Sequence, residues 1–75
     1  MTKNEVVEVG VTRITVDRGG FIRKDYVPAG QQVKWFVDEL GERWIKFDLA
    51  PEGVQQKVVT IVIPAWRVVE VQYEK

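Results

Sequence analysis

Apolar and polar residues alternate with a period of two along most of this chain, the spacing that places successive side chains on opposite faces of a β-strand. Gln32 to Val37 is the clearest case, with Val33, Trp35 and Val37 on one face and Gln32, Lys34 and Phe36 on the other. This pattern predicts a half-buried strand. Trp44 to Leu49 repeats it, with Ile45, Phe47 and Leu49 on the expected core face, opposite Trp44, Lys46 and Asp48. Residues 54–63 are apolar almost throughout, with Val59, Ile61 and Ile63 on one side and Val58, Thr60 and Val62 on the other. A strand apolar on both faces is expected at the centre of a sheet. After Pro64, the stretch from Trp66 to Tyr73 sets Val69, Val71 and Tyr73 against Val68, Glu70 and Gln72.

The first strand region breaks the rhythm. Val7, Val9 and Val11 share one face, and the apolar set then moves to Ile14 and Val16 on the other, with the slip near Arg13. A one-residue slip turns every later side chain over, so residues 5–16 are either one strand with a bulge or two strands crossing between sheets at a corner. Gly10 would ease the bend.

Turn signals punctuate these runs. Gly19-Gly20 can supply positive φ, and Pro28-Ala29-Gly30 joins a fixed φ to a permissive residue. Gly41 is placed for the left-handed position of the Asp38 to Arg43 loop, and Ala50 to Gly53 reads as a further turn. Between the first two turns, Phe21 and Ile22 enter a short segment whose Arg23-Lys24-Asp25 centre is polar, as on an edge strand. Six or seven short strands with reversals every 8 to 12 residues predict one domain, residues 1–75, folded as a small antiparallel β-sandwich of Greek-key, immunoglobulin-like type. The alternative closure is a small barrel of the SH3 or OB type.

Composition narrows the chemistry. With 75 residues, 45% of them apolar and fifteen of them valine, the chain is a strand former near the lower size limit for folding without a disulfide or metal. Eleven basic residues balance eleven acidic ones, so no net field draws in nucleic acid or an anionic membrane. The chain has no cysteine, histidine or serine, and Met1 is its one methionine. That set of absences points to a thermostable natural protein or to an engineered scaffold whose function is simply to fold. No apolar run approaches the roughly 20 residues of a membrane span, and Met1 to Glu5 does not read as a signal peptide. The expectation is a soluble protein, cytoplasmic if natural.

Ile14-Thr15-Val16-Asp17-Arg18-Gly19-Gly20-Phe21, followed by Tyr26-Val27-Pro28-Ala29-Gly30-Gln31-Gln32-Val33, resembles the opening strand, Gly-Gly-Phe turn and Val-x-Ala-Gly-x-x-Val segment of a cupredoxin domain. Trp44 to Gly53 looks like the strand and turn after that family's first histidine ligand. Val58 to Ile63 and Val69 to Tyr73 are similar to its last two strands, so the likeness spans roughly residues 6 to 73. A blue-copper site uses two imidazoles and a thiolate, usually with a weak thioether. This chain offers none of the first two, and it ends where the family's ligand loop would begin. The resemblance therefore implies a metal-free cupredoxin-like shell that needs no cofactor.

Candidate sites follow from what remains. Trp44 is out of phase with Ile45 and Phe47, which makes it a candidate interface residue or a cap on an open end of the sandwich. Arg23, Lys24 and Tyr26 form a second candidate interaction surface along the predicted edge. Arg18, Arg23 and Lys24 with Tyr26, Trp35 and Phe36 could instead form a basic-aromatic platform for single-stranded nucleic acid, but Asp17 and Asp25 interrupt it. Trp66 beside Arg67 reads first as core edge, with a stacking pair as the alternative. Asp38, Glu39 and Glu42 lack the repeat of a calcium loop and read as a solvated hairpin. No phosphate loop, nucleophile motif or placeable acid-base pair occurs, so the chain is expected to be no enzyme. The leading expectation is a binding or structural module with a protein partner, present as a monomer or an edge-to-edge homodimer. The engineered or thermophilic reading expects a guanidinium unfolding midpoint above about 5 M, followed by circular dichroism, whereas a midpoint in the ordinary range marks a natural mesophilic module.

Overall fold

Seven strands form in the computed structural model, which describes residues 5–50 and 58–75. They are β1 (Val6–Val9), β2 (Val11–Asp17), β3 (Arg23–Tyr26), β4 (Gln32–Val37), β5 (Arg43–Leu49), β6 (Val59–Pro64) and β7 (Val68–Tyr73). Single 3-10 turns at Ala29–Gln31 and Ala65–Arg67 lead into β4 and β7. Every strand pairing is antiparallel, in a four-stranded sheet of order β1-β4-β5-β6 and a three-stranded sheet of order β3-β2-β7. Two separate antiparallel sheets are the sandwich expected from the strand count and turn spacing.

The phase slip in residues 5–16 is both a corner and a bulge. Gly10, at φ +76°, ends β1 in one sheet and starts β2 in the other, and its carbonyl accepts the Glu74 amide at 2.6 Å. Beyond it, Val11 pairs with Tyr73 and Arg13 with Gln72, so Thr12 is the extra residue, and its hydroxyl donates to the Gln72 carbonyl. The bulge lets Val11 and Ile14, three residues apart, both point into the core.

Val11, Ile14 and Val16 from β2 meet Val33, Ile45, Phe47 and Ile63 from the facing sheet, and these seven form the buried core. Tyr26 and Phe47 cross between the sheets edge to face, with ring centroids 5.6 Å apart. The core phases of β4 and β5 are as the alternation predicts: Val33, Ile45 and Phe47 are buried, and Trp35, Val37 and Leu49 half-buried. β3 is an edge strand, also as expected.

Three expectations need correction. Val7 and Val9 do not share a buried face with Val11; both are exposed, because β1 is an edge strand whose inward residue is Glu8. Glu8 accepts hydrogen bonds from Trp35 Nε1 and, at 2.9 Å, from the Tyr73 hydroxyl, tying the edges of the two sheets together. In β7 the apolar phase is not constant: Val68 opposes Val16 and Glu70 opposes Thr15, so Val69 is bulged out, and Val68 and Val71 both pack on the core. Finally, β6 lies at an edge of the four-stranded sheet and not at its centre. Apolarity records how little a strand tolerates water, not which neighbours it has. The predicted turn at Ala50 to Gly53 and residues 54–57 of the predicted strand fall outside the described residues, apart from Ala50.

A Cβ at position 10 would meet nothing closer than 3.9 Å, so Gly10→Ala strains only the backbone. Holding an alanine in the left-handed region costs about 1–2 kcal/mol, and guanidinium unfolding of the variant is expected to show that loss without a change in the m-value.

Candidate functional site

The β4–β5 hairpin and the 3-10 turn Ala65–Arg67 meet at one end of the sandwich, because Trp44 of β5 pairs with Pro64 at the end of β6. The hairpin is fixed from within by Asp38. Its backbone amide donates to the Glu42 carbonyl, its Oδ1 accepts from the amides of Leu40 and Glu42, and its Oδ2 accepts from Trp44 Nε1 at 2.9 Å. Gly41, at φ +84°, takes the left-handed position the sequence assigns to it. Such a carboxylate is held charged: the Trp44 indole, then the Glu42 amide, lower the Asp38 pKa below its ordinary 3.8.

Trp44 is consequently half-buried and tethered, on the outer face of the four-stranded sheet opposite Phe36. A surface groove of about 410 Å³ runs beside it, lined by Val6, Trp35, Phe36, Val37, Arg43 and Trp44. A second depression of about 420 Å³ is lined by Glu42, Arg43, Ala65 and Trp66. Arg43 belongs to both, so a tryptophan stands on either side of one arginine. Trp66 is 71% exposed, with the Arg67 guanidinium 5.1 Å from its ring centre. Leu40, at the hairpin tip, is 93% exposed. Among the described residues the one ion pair is Arg13 with Asp25, on the other sheet, and Glu42 shares the second depression with Arg43 without pairing to it.

The second predicted surface lies elsewhere. Arg23 and Lys24 are exposed on β3, at the edge of the three-stranded sheet. Tyr26 is half-buried against Phe47, with Lys24 Nζ 5.2 Å from its ring centre. The structure therefore separates Arg23, Lys24 and Tyr26 from Trp44, each group on its own sheet. The nucleic-acid platform is likewise divided: Trp35 packs on the core and bonds to Glu8, while Phe36 faces outward beside Trp44. No match to this chain is found among protein-family models, curated proteins or solved structures.

Phe21 and Trp66 are what the sequence reading underweighted. Phe21 is fully exposed with φ +66°, because the turn after Asp17 runs one residue further than Gly19-Gly20 suggests and β3 begins only at Arg23. Its signal was present in Asp17-Arg18-Gly19, where the Asp17 carboxylate accepts the Gly19 amide and draws the chain into a longer loop. For Trp66, adjacency to Arg67 was legible, but the approach of Arg43 depends on the β5–β6 pairing.

Among the described residues no polar or charged side chain is buried, and no three of His, Cys, Asp or Glu gather as metal ligands. What this end can do chemically is present apolar area flanked by charges of both signs, Arg43 and Arg67 beside the tryptophans and Asp38, Glu39 and Glu42 in the hairpin loop. The pH dependence of Asp38 follows with a definite sign. Because its folded pKa is depressed, the stability it contributes is present above pH 3.8 and is lost as the pH falls through the folded value. Acid titration followed by tryptophan fluorescence is expected to show a transition centred below 3.8 that Asp38→Ala lacks; a shared transition would mean that Trp44 does not report on this carboxylate.

Proposed function

We propose that this chain is a non-enzymatic binding module, a metal-free cupredoxin-like shell, that engages a protein partner through the end formed by Leu40, Arg43, Trp44 and Trp66. The observation that carries the reading is Arg43 lining two depressions, with Trp44 on one side and Trp66 on the other. Tryptophan and arginine are the residues that most often dominate binding energy, since each offers large area together with a directional polar group. Trp44 is already fixed by Asp38, so little rotamer freedom remains to be lost on binding.

The partner's chemistry follows from the charges. Arg43 and Arg67 border the tryptophans with Glu42 and Asp38 among them, so the uncompensated positive charge lies on the adjoining outer face, where Lys34 and Lys46 stand directly opposite each other across β4 and β5. Like charges in register destabilise a sheet, and an acidic group seated near them offsets that repulsion. A segment with an apolar anchor and a carboxylate is the complementary shape.

A random peptide library displayed on phage and selected on the immobilised protein tests this. Enrichment of acidic sequences with an aromatic or leucine anchor is expected, and their affinity should fall at least tenfold, about 1.4 kcal/mol, with Arg43→Glu and with Trp66→Ala. Both sites are exposed, so both variants should retain the wild-type unfolding midpoint. Peptides that bind wild type and both variants equally would place the interface elsewhere.

A further inference from the structure

Every sheet edge among the described residues carries a charge except one. β3 presents Arg23, Lys24 and Asp25; β1 turns Glu8 inward; β7 carries Glu70. Charges on edges, including inward-pointing ones, are the usual protection against pairing with another chain. β6, Val-Thr-Ile-Val-Ile-Pro, has none. Its outer face is exposed, with Val62 at 49%, and its inner face is covered at Ile63 and Ile61 but open at Val59, 51% exposed, although its sequence is that of a strand buried on both faces.

We propose that β6 pairs antiparallel with β6 of a second copy about a two-fold axis at Ile61, joining two four-stranded sheets into one of eight. The occupant is a second copy because the strand is self-complementary. Reversal about Ile61 sets Val59 opposite Ile63 and Thr60 opposite Val62, β-branched against β-branched, with no charge buried or repelled. Pro64, which has no amide to donate, falls at the strand's last position, where a missing donor costs least. The contact is isologous and so closes at two subunits. In the dimer β6 becomes the central strand that its composition describes. The Trp44 and Trp66 end is a separate surface, and the inference does not rest on the function proposed for it.

Sedimentation equilibrium across a concentration series tests the proposal with two designed variants. Val62 faces Lys46 and Thr60 faces Asp48 across the β5–β6 pairing, on the exposed side of the sheet. Val62→Glu is therefore compatible with the fold but places two carboxylates near the two-fold axis, and it should weaken dimerisation at least tenfold. Adding Thr60→Lys puts a lysine opposite each introduced glutamate of the partner in the proposed register, and should recover at least part of that loss. Circular dichroism verifies that each variant keeps the wild-type β signature. The expected wild-type result is a mass moving from 8.7 kDa toward twice that value. A wild type that stays at 8.7 kDa up to about 1 mM overturns the proposal, as does a dimer indifferent to Val62→Glu, or growth to species beyond two subunits.

Discussion

Gly10 carries the chain from the edge of one sheet to the middle of the other, and the rest of the sandwich is hung on that corner. The strand it begins, β2, lies between β3 and β7 and supplies Val11, Ile14 and Val16, three of the seven buried residues. Its φ of +76° is open to glycine and strained for other residues. Its carbonyl holds the end of β7 through Glu74, and two residues later the bulge at Thr12 restores the core phase that the bend would otherwise lose. A corner without the bulge would leave either Val11 or Ile14 in water, and a domain this small has few buried side chains to spare.

The readable parts of the fold were those set by neighbours in sequence. The alternation in β4 and β5 gave the correct core faces, since one side of each strand meets the other sheet and the other side does not. The turns at Asp17 and Asp38 were marked by glycines and by carboxylates that cap their own loops. Legibility ended where a side chain's position depends on a distant strand. The Val69 bulge exists because β7 must stay in register with β2, and nothing within Val68 to Tyr73 announces it. The edge position of β6 is a fact about the sheet order, to which its own apolarity is blind. In the candidate site Trp44 was legible from its phase, while the convergence of Arg43 and Trp66 required the pairing of Trp44 with Pro64.

The three tryptophans show how one residue type is divided among roles by its indole partner. Trp35 is turned inward by Glu8, which also accepts from Tyr73, so this ring closes the sandwich where β1 and β7 would otherwise part. The same contact raises the Tyr73 pKa above its ordinary 10.0, chiefly because its hydroxyl donates to the Glu8 carboxylate. Trp44 is held by Asp38 against the outer face and is partly buried. Trp66 rests under Arg67 alone and is the most exposed of the three. The two indoles that donate to a carboxylate are both partly buried, and the one whose polar neighbour is only the next residue is exposed.

That division bears on the binding proposed for one end of the sandwich. An indole fixed across strands stabilises the fold and is no longer free for a partner. One fixed within its own hairpin is pre-positioned yet accessible, and one held by its neighbour can adapt. Trp44 and Trp66, an ordered ring and an adaptable one with Arg43 between them, combine low ordering entropy with tolerance in the partner's shape. Leu40 adds apolar area at the tip without adding constraint. The contact proposed at the β6 edge is of a different kind, through backbone hydrogen bonds and β-branched side chains, and would need a partner that is itself an extended strand. Because the two surfaces ask for different chemistry, occupation of one does not satisfy the other, and the same small core can support both.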